Sequence, residues 1–338
     1  MCVDQETLLK LGYNAKTLLA DNKGILAIDE SPSSIAQKFE KNDIQNNEKT
    51  RFKFRELLVT TPNIEKYISG VILHEEMFSM KNEKEKLLID VIMDKNILIG
   101  IKLDKGLQKF DGNEKISVGL EDLENRIQQK KFEKALFAKW RSLFIVSHEF
   151  PTLNCLDENC KTLAQYASIC QKYGKVPIVE PELYFKGDYE LHDAKYHTKR
   201  ILGNLIKHLN YYNVYIPGVI IKMSFVTQGD ESKSTHSPDE IGIATLDGLL
   251  STIPCGIPGI VFLSGGHNEN DAIEYLSSIH RNQAYKTWDV SFSFGRTLTD
   301  TPMEIWKGLD ENRLKAQEAL FEIAKRCYDA NSQKKMKQ

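Results

Sequence analysis

Residues Gly218–Val226 read "GVIIKMSFV". Small and β-branched residues run straight into Lys222, and apolar residues resume behind it. A charged amine in a segment that otherwise reads as a buried strand is costly unless it is paired or uncharged. It has a use where the amine must shed its proton and attack a carbon. The competing reading is a lysine whose stem is buried and whose head snorkels to water.

The same kind of run recurs along the chain. Short apolar stretches stand at Gly24–Ile28, Ile68–Leu73, Ile97–Leu103, Leu136–Trp140, Val176–Val179, Gly218–Ile221, Gly259–Leu263 and Val290–Phe294. Continuous apolar runs suit parallel strands covered on both faces. Helical patterns lie between them. "SPDE" at Ser237–Glu240 and "TPME" at Thr301–Glu304 each predict a hydroxyl-capped helix start with proline next and glutamate three residues after the cap. Eight strand–helix units predict an α/β fold, a (β/α)8 TIM barrel of one domain over residues 1–338. The barrel strands fall between about 24 and 296, close to the ~250 residues typical of the fold, and a C-terminal helix and short tail occupy 302–338. An open doubly wound sheet would call for a glycine-rich fingerprint after the first strand, and "AIDESPSS" is not one.

Composition narrows the function. The 338 residues carry 45 basic and 47 acidic side chains, a net charge of −2, which gives no reason to expect nucleic-acid or membrane-surface binding. "MCVDQETLLKLGY" at the start turns acidic at Asp4 and Glu6, unlike a signal peptide. No apolar run approaches a membrane span, and the cytoplasm is the expected location. The six cysteines, Cys2, Cys155, Cys160, Cys170, Cys255 and Cys327, are expected to be free thiols. "CLDENC" lacks a second cysteine pair, and "HDAKYH" is expected to be solvated helix surface. No metal and no cofactor are assigned.

The strand runs end in polar residues: Asp29, Lys102, Lys139 and Arg141, Glu180 and Glu182, Lys222, Ser264, and Arg296. In a barrel these ends converge on the face that carries the active site. One such residue is an ordinary rim salt bridge. Seven strand ends together are not, because charges of both signs would share one mouth without a task. Crowded cations are expected to disfavour each other's protonated forms and so activate a lysine near neutral pH. Asp29 and Glu180 can move protons, while Lys102, Arg141 and Arg296 can hold anions. "LSGGH" (Leu263–His267) and "FGRT" (Phe294–Thr297) stand where barrels bind phosphate through backbone N–H groups. "DESPSS" offers Ser31, Ser33 and Ser34 at a helix start, a second anion site. Two anion sites around a nucleophilic lysine point to a phosphorylated carbonyl substrate held as an imine.

These residues bring a family resemblance with them. "KGILAIDES", "GIKLDKG", "FAKWR", "YASICQKYGKVPIVEPEL", "FLSGG" and "FSFGR" appear in order over most of the chain, which resembles the class I, Schiff-base-forming, metal-independent fructose-bisphosphate aldolases. The resemblance implies a glycolytic lyase acting on sugar phosphates. It implies Lys222 as the imine-forming lysine and Glu180 as the main proton-transfer carboxylate. Lys139 is then the second lysine, Asp29 the aspartate supporting carbon–carbon cleavage, and Glu182 a glutamate positioning the lysines. Ser264, Gly265, Gly295 and Arg296 match one phosphate site; Lys102, Ser31 and Ser34 match the other, with Arg141 nearby. Sequence does not choose between Glu180 and Asp29 as the cleavage base. A homotetramer and an association with actin are also implied.

The departures are specific. Met223–Ser224 follow the imine lysine where Pro-Asn is usual, altering the expected polar lining. Lys38 stands where many members carry arginine, which keeps charge and loses the bidentate fork. The family's mobile tail closes with a tyrosine, whereas here "NSQKKMKQ" closes the chain and Tyr328, expected on the final helix, is the last tyrosine. The competing functions are a transaldolase-like Schiff-base enzyme on the same fold and an aldolase-like scaffold.

Overall fold

The computed structural model describes residues 3–282 and 287–332. Ten strands follow one another along these residues: β1 (Gly24–Ile28), β2 (Ile68–Leu73), β3 (Leu98–Lys102), β4 (Leu107–Lys109), β5 (Lys115–Ser117), β6 (Phe137–Phe144), β7 (Val176–Leu183), β8 (Ile220–Met223), β9 (Gly259–Phe262) and β10 (Asp289–Phe294). All but β4 and β5 are parallel and close a barrel in the order β1-β10-β9-β8-β7-β6-β3-β2. The (β/α)8 barrel expected from the eight runs is the fold. The antiparallel β4–β5 hairpin, inserted after β3, was not expected; its strands are three residues each and half exposed, so no apolar run marks them.

Two boundaries move in a way that matters for chemistry. β6 and β7 stay paired from Phe137↔Val176 to Phe144↔Leu183, well beyond the predicted ends. Arg141, Glu180 and Glu182 therefore lie inside strands rather than just past them, as does Lys222 on β8, while Lys139 stays inside its run. Charged side chains hide a strand from a hydrophobicity reading, and here they project into the barrel. The expected start at Gly218 also moves, because Pro217 sits in a short 3₁₀ turn over Ile216–Gly218.

Residues two apart on a strand share a face. Ile25, Ala27, Ile72, Phe137, Val176, Ile178, Ile220 and Val261 form one buried cluster with Leu11 and Leu18 of the first helix, which plugs the barrel floor. Their neighbours Ala138, Trp140, Val179 and Ile221 belong instead to the cluster between strands and helices. Continuing the inward set upward gives Lys139 above Phe137, Glu180 above Ile178 and Lys222 above Ile220. The barrel interior is thus apolar below and charged above. Phe137 fills the lower layer so closely that a Cβ on Gly100 would stand 2.1 Å from its ring. Gly100→Ala should lower stability by about 1–3 kcal/mol, measured by urea unfolding; an unchanged midpoint would show that the ring has room to move.

The helices report on the other expectations. Ser237 caps the helix Pro238–Leu250 and forms a reciprocal capping box with Glu240, as predicted. "TPME" does not start a helix. That helix runs Arg296–Trp306 directly from β10, with Pro302 inside it, and the Thr301 hydroxyl bonds Glu269 instead of capping. "HDAKYH" is split: His192 is exposed, whereas His197 is buried, because the helix Leu191–Tyr211 turns that face inward. Cys155, Cys160, Cys170, Cys255 and Cys327 are free thiols, and Cys2 lies outside the described residues. Tyr328 is on the final helix, Arg313–Asn331, packed on Tyr67 just ahead of β2 and so at the barrel end opposite the charged layer. Among the described residues no helix is long and apolar enough to cross a membrane.

Candidate active site

At the charged end of the barrel the side chains form a connected set. The Lys222 ammonium nitrogen stands 3.2 Å from Glu180 Oε1, and the Lys139 nitrogen 3.1 Å from Glu180 Oε2. Lys139 also reaches Asp29 at 2.7 Å and Asp104 at 4.0 Å. Asp104 in turn accepts from Lys102 at 2.6 Å and from the Arg141 backbone N–H at 3.3 Å. Asp29, Lys139, Glu180 and Lys222 are each at most 9% exposed. A buried charge needs a partner, and each of these has one.

The electrostatics of Lys139 are set by the carboxylates around it. Burial alone would lower the Lys139 pKa, but the charges of Asp29, Glu180 and Asp104 outweigh it and hold the group above the ordinary lysine range. The expectation that crowded cations would favour neutral amines is therefore corrected at Lys139: three carboxylates lie within 4.0 Å of its nitrogen. Burial pushes Asp29 up, but Lys139, Lys222 and Lys102 pull it below the usual carboxylate range. Glu180 is held low in the same way, mainly by Lys139 and Lys222 against burial. Lys222 makes one ion pair among the described residues, to a carboxylate it shares with Lys139.

Above this layer lies a cleft of about 1250 Å³. Its wall brings together Asp29, Lys102, Arg141 and Arg296 with the start of the helix Pro32–Lys41. Ser31 caps that helix, accepting from the Ser34 N–H, and its hydroxyl lies 2.9 Å from those of Ser33 and Ser34. Lys38 is 3.0 Å from both Glu30 and Asp300, so its charge is shared between two carboxylates. Arg296 is exposed, lines the cleft and makes no ion pair among the described residues. Gly295 caps its helix and packs over β1, where a Cβ would stand 3.2 Å from the Ala27 carbonyl oxygen. Just past the neighbouring strand β9, Ser264 is buried and Gly265 has φ +55°, the left-handed region that glycine tolerates.

Some expectations shift in place or partner. Glu182 bonds the Arg141 guanidinium rather than either lysine, because two residues farther up β7 brings it level with the cleft wall. Asp104 went unassigned in "GIKLDKG", although a carboxylate two residues beyond Lys102 is a visible signal of a local ion pair. Lys41 and Lys105 also line the cleft; Lys41 is one helical turn from Lys38 and shares its face. The Met223–Ser224 departure leaves the site's charged layer intact. Met223 packs outward into the strand–helix core, and the Ser224 hydroxyl bonds the backbone of Leu183 on β7.

The profile of the family described as "Glycolytic: Fructose-bisphosphate aldolase class-I" matches residues 10–338. The chain belongs to the class I fructose-bisphosphate aldolase family. It is 50% identical over 329 residues to a fructose-bisphosphate aldolase of Encephalitozoon cuniculi, covering 97% of each chain. It is 38% identical to fructose-bisphosphate aldolase B of Bos taurus, covering 93% of this chain and 87% of that one. A solved aldolase of Plasmodium falciparum, in complex with TRAP and a small-molecule inhibitor, superposes with a TM-score of 0.96 at 34% identity, covering 100% of this chain and 98% of that one. These aldolase likenesses do not favour the transaldolase-like and scaffold readings.

Proposed function

We propose that this family member reversibly cleaves fructose 1,6-bisphosphate into dihydroxyacetone phosphate and glyceraldehyde 3-phosphate through an imine on Lys222. The observation that carries the reading is the buried Lys222–Glu180–Lys139–Asp29 chain, of which Asp29 and Lys139 line the cleft together with Lys102, Arg141 and Arg296. Lys222 is the nucleophile. Attack requires the free amine, and Glu180, the carboxylate in contact with it, takes and returns the protons of carbinolamine dehydration. Lys139 stays charged and supports both carboxylates. The iminium then withdraws electrons from the bond between the third and fourth carbons. Asp29, which lines the cleft, removes the proton from the hydroxyl on the fourth carbon, and glyceraldehyde 3-phosphate leaves. Protonation of the enamine and hydrolysis release dihydroxyacetone phosphate and regenerate the amine.

Substrate length orients the two phosphates. The ketone carbon is adjacent to the carbon bearing the first phosphate, so that phosphate falls near Lys222. β8 and β9 are neighbours with Lys222 level with Val261, and Ser264 and Gly265 follow the end of β9 as Gly295 and Arg296 follow the end of the adjacent β10. The second phosphate falls toward Lys102, Ser31, Ser34, Lys38 and Arg141. The test is borohydride reduction in the presence of dihydroxyacetone phosphate and EDTA, followed by peptide mass mapping. A reduced adduct on Lys222 is expected. An adduct on Lys139, or none on a folded protein, would overturn the assignment.

A further inference from the structure

The loops after β7, β8 and β9 meet at an aromatic residue, Phe185. The Ser264–His267 segment is a turn: the His267 N–H donates to the Ser264 carbonyl at 3.2 Å, and Gly265 within it has φ +55°. The Phe185 ring lies over that turn. It occupies the space beside Gly266 so fully that a Cβ there would stand 2.0 Å from the ring. The same ring meets the His267 imidazole edge-on, with centroids 4.4 Å apart. Phe185 is itself held from the third loop, since its carbonyl accepts the Asp230 N–H at 3.0 Å. His267 also meets the Tyr275 ring edge-on, with centroids 5.3 Å apart. Burial, helped by Arg296, pushes its pKa down to about 4, so at neutral pH it is an uncharged ring in this stack.

A turn of two glycines is conformationally loose, and its own residues give it little to pack with. Something outside must hold it if its groups are to meet an anion without reordering. We infer that Phe185 is a positioning residue for the substrate phosphate: wedged over Gly266 and against His267, its ring holds the Ser264–His267 turn in the shape that receives the anion. The inference rests on Ser264 and Gly265 serving as the phosphate site proposed above. It makes two residues absent from the charged layer, Phe185 and His267, into determinants of phosphate affinity.

Borohydride trapping of Lys222 tests it, using dihydroxyacetone phosphate and, in parallel, unphosphorylated dihydroxyacetone. Phe185→Ala should raise the half-saturating concentration of the phosphate about tenfold and leave that of dihydroxyacetone within about twofold. Gly266→Ala, whose methyl displaces the ring, should do the same. The double variant should be no worse than either single one, because the methyl then has room, a non-additivity that independent sites do not show. Phe185→Tyr, which keeps the ring, should retain wild-type behaviour. Equal weakening for both ketones, or additive effects, would overturn the inference. Ser264→Ala distinguishes the two levels. If it shifts the phosphate and Phe185→Ala does not, the positioning role fails alone; if neither shifts, or the wild type shows no trapping, the phosphate site and the inference fall together.

Discussion

Lys222→Ala should leave a folded barrel that no longer cleaves fructose 1,6-bisphosphate, with kcat down by at least about 10⁴-fold, the scale of losing a covalent nucleophile. The fold survives because Lys222 is removed together with its charge, and Glu180 keeps its contact with Lys139 at 3.1 Å. The remaining groups cannot substitute. Lys139 lies between Asp29, Glu180 and Asp104, which hold its proton in place. Lys222→Arg should be as inactive, since a guanidinium does not give up its proton to become a nucleophile. Circular dichroism and thermal unfolding check the fold; coupled detection of triose phosphates checks the activity. Turnover of Lys222→Ala within tenfold of wild type would sink the covalent mechanism and leave the cleft as a sugar-phosphate site with different chemistry.

The barrel was legible in the sequence because each parallel strand, covered on both faces, leaves an apolar run of its own. What was not legible is where those runs stop being the strand. β6 continues through Arg141 to Phe144 and β7 through Glu180 and Glu182 to Leu183, whereas the apolar runs stop at Trp140 and Val179, ahead of those charges. The identities of the site residues were legible for the same reason: charges that interrupt strands stand out. Their pairing was not. Nothing in the spacing of Lys139 and Lys222 shows that one would be surrounded by three carboxylates and the other would touch a single one, since that depends on barrel register. Asp104 and Phe185 were missed for different reasons. Asp104 signals a local ion pair with Lys102, but its reach to Lys139 depends on barrel register, and Phe185 reads as an ordinary loop aromatic although three loops meet at it.

Lys139→Met should be the most destabilising change in the charged layer. It keeps an unbranched stem of similar reach and removes the charge, leaving Asp29 and Glu180 buried beside each other. Breaking a buried ionic cluster from one side costs about 3–5 kcal/mol. The loss should depend on pH in a direction the pKa shifts dictate. In the wild type Asp29 and Glu180 are held low, so their contribution is present above their unfolded values, about 3.9 and 4.3, and is lost as pH falls through the lower folded ones. Lys139 is held high, so its contribution is present below its unfolded value of about 10.4 and is lost only above it, as pH rises through the folded value. The cluster therefore contributes fully between about pH 5 and pH 10. In Lys139→Met the carboxylates lose their main countercharge, burial dominates, and they take protons more readily. The stability gap between wild type and variant should thus be widest near pH 7.5 and narrow below about pH 5, as urea unfolding at pH 7.5, 5.5 and 4 would show. A gap that stays constant across that range would mean that Lys139 supports the barrel through its stem rather than its charge. Cleavage should fall in the same variant by about 10²-fold or more, because Glu180 can no longer hold a proton balance set by one permanently charged lysine while exchanging protons with the other.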